Sequence, residues 1–142
     1  IELKQDILKM REKMLDVHPN PTPLFDIKHD RGGIIDVEFI VQYLVLGYAS
    51  QSPQLTGNIG NIALLKLAGE LGLVPAELAT QVRTAYREYR RLQHRFRLGG
   101  EPELTSAPLS KDKSEKFARI AADHLSNDRL SVLQLWDAVF RL

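Results

Sequence analysis

A chain of 142 residues, 44% hydrophobic and 26% charged, is long enough for one domain that buries a sizeable core without staples. Zero cysteines exclude a disulfide framework and every thiolate metal site, and a net charge of +1 argues against a protein that coats DNA, although charge can still cluster locally. The longest strongly apolar stretch, 39–49, contains Gln42 and falls well short of the ~20 residues that span a bilayer.

The first residue is Ile1, followed by mixed charge, which reads as no signal peptide, a soluble cytoplasmic domain and a fragment of something longer. The first helix is expected over 2–17, with Leu3, Ile7, Met10, Met14 and Val17 forming an apolar seam among charges. Three prolines, at 19, 21 and 23, stop it. A short extended piece, 24–28, leads to Gly32-Gly33. The second helix, 34–49, is apolar nearly all round and reads as the most buried of a bundle.

A third helix is expected from an Asn58 N-cap to Gly72, and a fourth from Pro75 to about Leu98, closed by Gly99-Gly100. A fifth opens on the capping-box pair Asp112 and Glu115 and buries Phe117, Ile120, Ala121, His124 and Leu125. A sixth, from about Asn127 to the end, buries Leu130, Leu133 and Trp136. No stretch alternates with period two, so the expectation is an all-α bundle of five to six helices across 1–142.

A catalytic centre is hard to find. The chain has no Asp-x-Asp, no phosphate-binding Gly-x-x-x-x-Gly-Lys, no Gly-x-Ser-x-Gly and no His-Glu-x-x-His. Its four histidines, 18, 29, 94 and 124, lie in four segments without metal-ligand spacing. Asp36 and Glu38 project about 200° apart on a helix and cannot grip one metal together.

Two features suit anions. Lys28, Arg31 and the Gly32-Gly33 pair precede an apolar helix, where free amides, close backbone approach and two cations would make a phosphate seat. The plainer reading of the same residues is a tight turn with solvated cations, and from pattern alone it is the favoured one. On the fourth helix, Arg83, Arg87, Arg90, His94 and Arg97 fall on one arc, with Arg91 nearby, beside an apolar arc of Leu78, Val82, Ala85, Tyr89, Leu92 and Phe96. That stripe would face a nucleotide, an acidic partner or nucleic acid, or else pair with acids such as Asp36 or Glu38 on a neighbouring helix.

The segment Asp26-Ile-Lys28-His-Asp-Arg31-Gly32-Gly33-Ile-Ile-Asp36-Val-Glu38-Phe39-Ile-Val-Gln42 resembles the Lys-x-x-x-Gly-Gly-Ile-x-Asp-Ile-Glu-Phe signature of glutamine synthetase adenylyltransferase. Stretches at 10–15, 58–73 and 85–98 agree in order and spacing, so the resemblance covers about 10–98. Arg31 is the departure from the pattern. The family has two homologous halves, each a nucleotidyltransferase core followed by a helical domain. Asp36 and the run after Gln42 look like the C-terminal, adenylylating half.

The resemblance implies Mg²⁺-assisted AMP transfer from ATP to a tyrosine of glutamine synthetase, with the acids and metals in a core outside this chain. It implies an accessory that is inactive alone, binds no cofactor by itself and holds no metal ligand. Residues 1–17 would continue from that core, 24–33 would form the glycine loop and 34–142 the bundle. Lys28, Arg31, Gly32 and Gly33 would touch phosphate oxygens. Asp36, Glu38 and Gln42 would support the loop, and Arg83, Arg87, Arg90, Arg91 and His94 would face a partner or an anion. The expected partners are glutamine synthetase and a PII-type signal protein, with no nucleic acid, no membrane and a monomeric chain. The alternative is a regulatory docking module for either protein.

Overall fold

The computed structural model describes residues 2–57, 60–97, 119–120 and 125–141. Among these residues five α-helices carry the fold: α1 Glu2–Val17, α2 Ile34–Tyr48, α3 Asn61–Glu70, α4 Ala76–Arg97 and α5 Ser126–Phe140. A 3-10 turn at Pro53–Thr56 joins α2 to α3, and two short strands, β1 Phe25–Asp26 and β2 Arg119–Ile120, pair antiparallel. The all-α bundle expected from the sequence is the architecture found.

Helix α2 is the hub, because it packs against each of the other four helices. Its apolar residues go nearly all round for that reason: Ile34, Val37, Ile40, Val41 and Leu44 are all buried. α4 lies between α3 and α5 and lends the core Val82, Ala85, Tyr89 and Leu92. α5 adds Val132, Leu135, Trp136, Val139 and Phe140.

The ends of α3 show how local chemistry sets boundaries. The helix starts at Asn61 behind a Gly60 N-cap, later than expected, and Asn58 lies outside the described residues. It closes with Gly72 at φ +76°, where the amide of Leu73 reaches the Ala68 carbonyl at 3.0 Å and that of Gly72 reaches Gly69 at 3.2 Å. That pair of reversed bonds is a Schellman closure, which needs a residue comfortable in the left-handed region. At α4, the Pro75 carbonyl accepts the first helical bond, from the Ala79 amide.

Three expectations need correction. On α1 the inward face carries Ile7 and Arg11, while Met10 is 53% and Val17 71% exposed. The seam is turned by about one residue because an arginine, not a methionine, has a buried partner there. On α5, Leu130 is 52% exposed, since the helix turns the face of Val132, Leu135 and Val139 to α2 and α4. Within the expected fifth helix, Arg119–Ile120 is extended and pairs with β1, Phe25 opposite Ile120. A long-range pairing there overrides local helical periodicity. Phe117, Ala121 and His124 lie outside the described residues, and Leu125, expected in that helix, instead stands half-buried at φ 62° as the N-cap of α5. No helix among the described residues is long and apolar enough to cross a membrane.

Candidate functional site

The segment between α1 and α2 is short on regular structure and rich in Asn and Asp, whose side chains can replace a backbone ladder. Asn20 donates from Nδ2 to the Leu24 carbonyl at 2.7 Å and to Asp30 Oδ2 at 2.9 Å, and accepts from the Thr22 amide. Asp26 Oδ1 accepts the amides of Lys28 and His29, and its Oδ2 lies 3.1 Å from His29 Nδ1. Burial raises the Asp26 carboxyl, yet these bonds outweigh it and hold the group below its ordinary range. The His29 ring stacks on His18, centroids 4.3 Å apart.

The glycine pair then folds inward. Gly32 sits at φ +84°, and a Cβ there would lie 2.6 Å from Arg129 Cγ. A Cβ on Gly33 would lie 2.4 Å from the Ile27 carbonyl oxygen. Both glycines are therefore required by contacts within the protein. Their amides are committed as well. Gly32 N–H donates to Asp36 Oδ2 at 2.7 Å, Gly33 to the Asp30 carbonyl, Ile34 to Ile27 and Ile35 to Lys28.

Asp36, fully buried in the first turn of α2, is the knot of this region. Its Oδ1 takes Arg11 Nε at 2.5 Å and its Oδ2 takes Arg31 Nε at 3.1 Å beside the Gly32 amide. Arg11 also donates from Nη2 to the His29 carbonyl at 2.7 Å, so α1, the loop and α2 are tied by one guanidinium. From the far side, Tyr89 of α4 donates its hydroxyl to the Gly32 carbonyl at 2.8 Å. Arg129 of α5 donates from Nε to the Arg31 carbonyl at 2.9 Å and lies 4.5 Å over the Phe25 ring. Arg31 itself covers the Trp136 ring at 4.7 Å. Burial, and next the charge of Asp128, push the Tyr89 hydroxyl far above its ordinary value, so it stays a donor at every working pH.

These contacts revise the phosphate seat expected at Gly32 and Gly33. Four successive amides of the turn already have acceptors inside the protein, and Arg31 is held by Asp36. Lys28 alone of that group is exposed with its ammonium unpaired among the described residues. Glu38 and Gln42 stand exposed on the outer face of α2, where they line a cleft of about 200 Å³ with Met14, Ile35 and Phe39.

The α4 cations form a separate surface. Arg87, Arg90, Arg91 and His94 are exposed and Arg83 is half-buried. Arg91 pairs with Glu88 on its own helix, and Arg90 Nη1 bonds Gln93 Oε1 at 2.6 Å. Among the described residues none of them pairs with Asp36 or Glu38, so the interhelical pairing considered from the sequence does not form. Sequence reasoning placed Tyr89 on the buried arc of α4 without its bond to Gly32, and missed Arg11 and Arg129. Of these two only Arg11 left a trace, falling on the Leu3, Ile7, Met14 face of α1 at helical spacing. No three His, Asp or Glu side chains among the described residues stand close enough to hold a metal ion.

The GlnD PII-uridylyltransferase family model matches residues 2–141. A protein of Nitrosomonas europaea is 69% identical over 140 residues, which is 99% of this chain and 15% of that protein. One of Nitrosomonas eutropha is 67% identical over 97% of the chain, and one of Aromatoleum aromaticum 49% identical over 97%. Each bears the name bifunctional glutamine synthetase adenylyltransferase/adenylyl-removing enzyme. The chain spans 13–15% of the length of these relatives. The family model is named for uridylyl transfer and the relatives for adenylyl transfer, and the relatives agree with the resemblance carried by the glycine-pair segment. The chain belongs to the GlnD PII-uridylyltransferase family, and its likeness to glutamine synthetase adenylyltransferases extends over nearly its whole length.

Proposed function

We propose that the chain is the C-terminal helical part of an enzyme that transfers AMP from ATP to a tyrosine of glutamine synthetase, and that it is inactive alone. The observation that carries this is the 69% identity across 99% of the chain to a relative of which it makes up 15%. ATP and Mg²⁺ enter with the rest of the enzyme, whose acids supply the metal chemistry. This chain's part is to shape one wall of the nucleotide and substrate cleft.

Within that wall, Lys28 would meet a phosphate oxygen; its exposure and the lack of a competing partner among the described residues support that role. Asp36 acts one step behind it. Its bonds to Arg11, Arg31 and the Gly32 amide fix the loop on which Lys28 rides. In the intact enzyme, Lys28→Ala should lower the rate of AMP transfer severalfold while leaving the melting temperature within a degree or so. An unchanged rate would assign the loop a structural role alone.

The cationic face of α4 favours a second reading, in which the bundle docks glutamine synthetase or a PII-type signal protein. Arg87 and His94 stand exposed there without an acidic partner among the described residues. Capture of either protein by the immobilised chain, weakened by Arg87→Glu, tests it. Either reading goes with a cytoplasmic protein, a monomeric chain, and no nucleic-acid or membrane partner.

A further inference from the structure

Helices α3 and α4 meet closely at Gly69, where an added Cβ would lie 3.2 Å from Ala79 Cβ and 3.3 Å from Ala76 Cα. Beside that contact opens a cleft of about 200 Å³, lined by Lys66 and Glu70 of α3 and by Thr80 and Arg83 of α4. Arg83 Nε is buried and has no hydrogen-bond partner among the described residues. A guanidinium N–H withdrawn from water without an acceptor is unfavourable, and native proteins seldom leave one. Neither Arg83 nor Lys66 makes an ion pair among the described residues, although Glu70 lines the same cleft.

We propose that this cleft binds a single oxyanion group, a carboxylate or a phosphate, seated on Arg83 with Lys66 beside it. Arg83 offers the planar fork that matches two oxygens, and Lys66 adds a point charge. Two cations against Glu70 leave one unit of positive charge, which suits one anionic group rather than a polyphosphate. The Thr80 hydroxyl is already spent on the Ala76 carbonyl at 3.1 Å, so selectivity falls to the two cations.

The same chemistry has two sources, a free anion or an acidic side chain of a protein docked on α4. The test follows the Arg83 Nε–Hε resonance of the purified chain by ¹⁵N NMR during titration with inorganic phosphate, and separately with a peptide rich in Asp and Glu. A saturable shift is expected. Both variants are followed through the backbone amide resonances of Gly69 and Thr80, which line the cleft: Arg83→Lys, which keeps the charge and lacks the fork, should weaken binding about fivefold or more, and Lys66→Gln about threefold. Lys9→Gln, on the exposed side of α1, should bind as the unaltered chain does. Tighter binding of the peptide assigns the site to a protein partner, and tighter binding of phosphate to a free anion. A resonance unmoved by both probes up to about 50 mM, or unweakened binding by Arg83→Lys and Lys66→Gln alike, would overturn the proposal.

Discussion

The hydroxyl of Tyr89 donates to the carbonyl of Gly32 across 57 residues of sequence, at 2.8 Å, and both residues are buried. The bond pins the turn ahead of α2 to the middle of α4. Tyr89→Phe removes the donor and leaves a buried carbonyl unsatisfied, which costs about 1–3 kcal/mol. Thermal unfolding should show a fall of roughly 3–10 °C for a chain of this length.

Asp36 and Arg11 form the other anchor, a charge pair almost wholly removed from water. Removing one member strands the other, so Asp36→Asn should cost about 3–5 kcal/mol. Replacing both with apolar residues, Arg11→Met with Asp36→Leu, should recover part of that loss, but not all, because the Gly32 amide and Arg31 also lose their acceptor. Denaturant titration of the single and double variants measures the difference.

Gly32, in the turn, contrasts with Gly60, ahead of α3. Gly32→Ala must accept a positive φ and a contact of 2.6 Å with Arg129, and should lose about 2 kcal/mol or more. Gly60→Ala meets nothing within 4 Å among the described residues and should stay within about 1 kcal/mol of the parent. Parallel melting curves of the two variants check this.

Asp26 gives a pH signature. Its folded carboxyl titrates below the ordinary value of 3.8, so its contribution is fully present above about that pH and is lost as pH falls through the lower folded value. Asp26→Asn should therefore lower the melting temperature at pH 7. The gap between parent and variant should narrow as the pH is taken below about 4.

The helices were legible because burial imposes a period of 3.6 on the residues themselves. The range 2–17 for α1, the all-round apolarity of α2 and the apolar arc of α4 through Val82, Tyr89 and Leu92 could all be read directly. The knot around the glycine pair could not. Arg129 meets the Arg31 carbonyl from 98 residues away, and nothing in local sequence distinguishes that arginine from a solvated one. Gly32-Gly33 before a helix carries the same local signal whether its amides point to a ligand or, as here, to Asp36 and the carbonyls of Asp30, Ile27 and Lys28. Arg11 deceived the seam of α1 for a related reason, since a buried charge looks polar until its partner is in place.

Labelled ATP tests most directly the proposed role, in which this chain serves AMP transfer without performing it. With glutamine synthetase and Mg²⁺ present, the intact enzyme should label the synthetase while the purified 142-residue chain leaves it unlabelled. Label transferred by the chain alone would contradict the account, and so would an intact enzyme that leaves glutamine synthetase unlabelled.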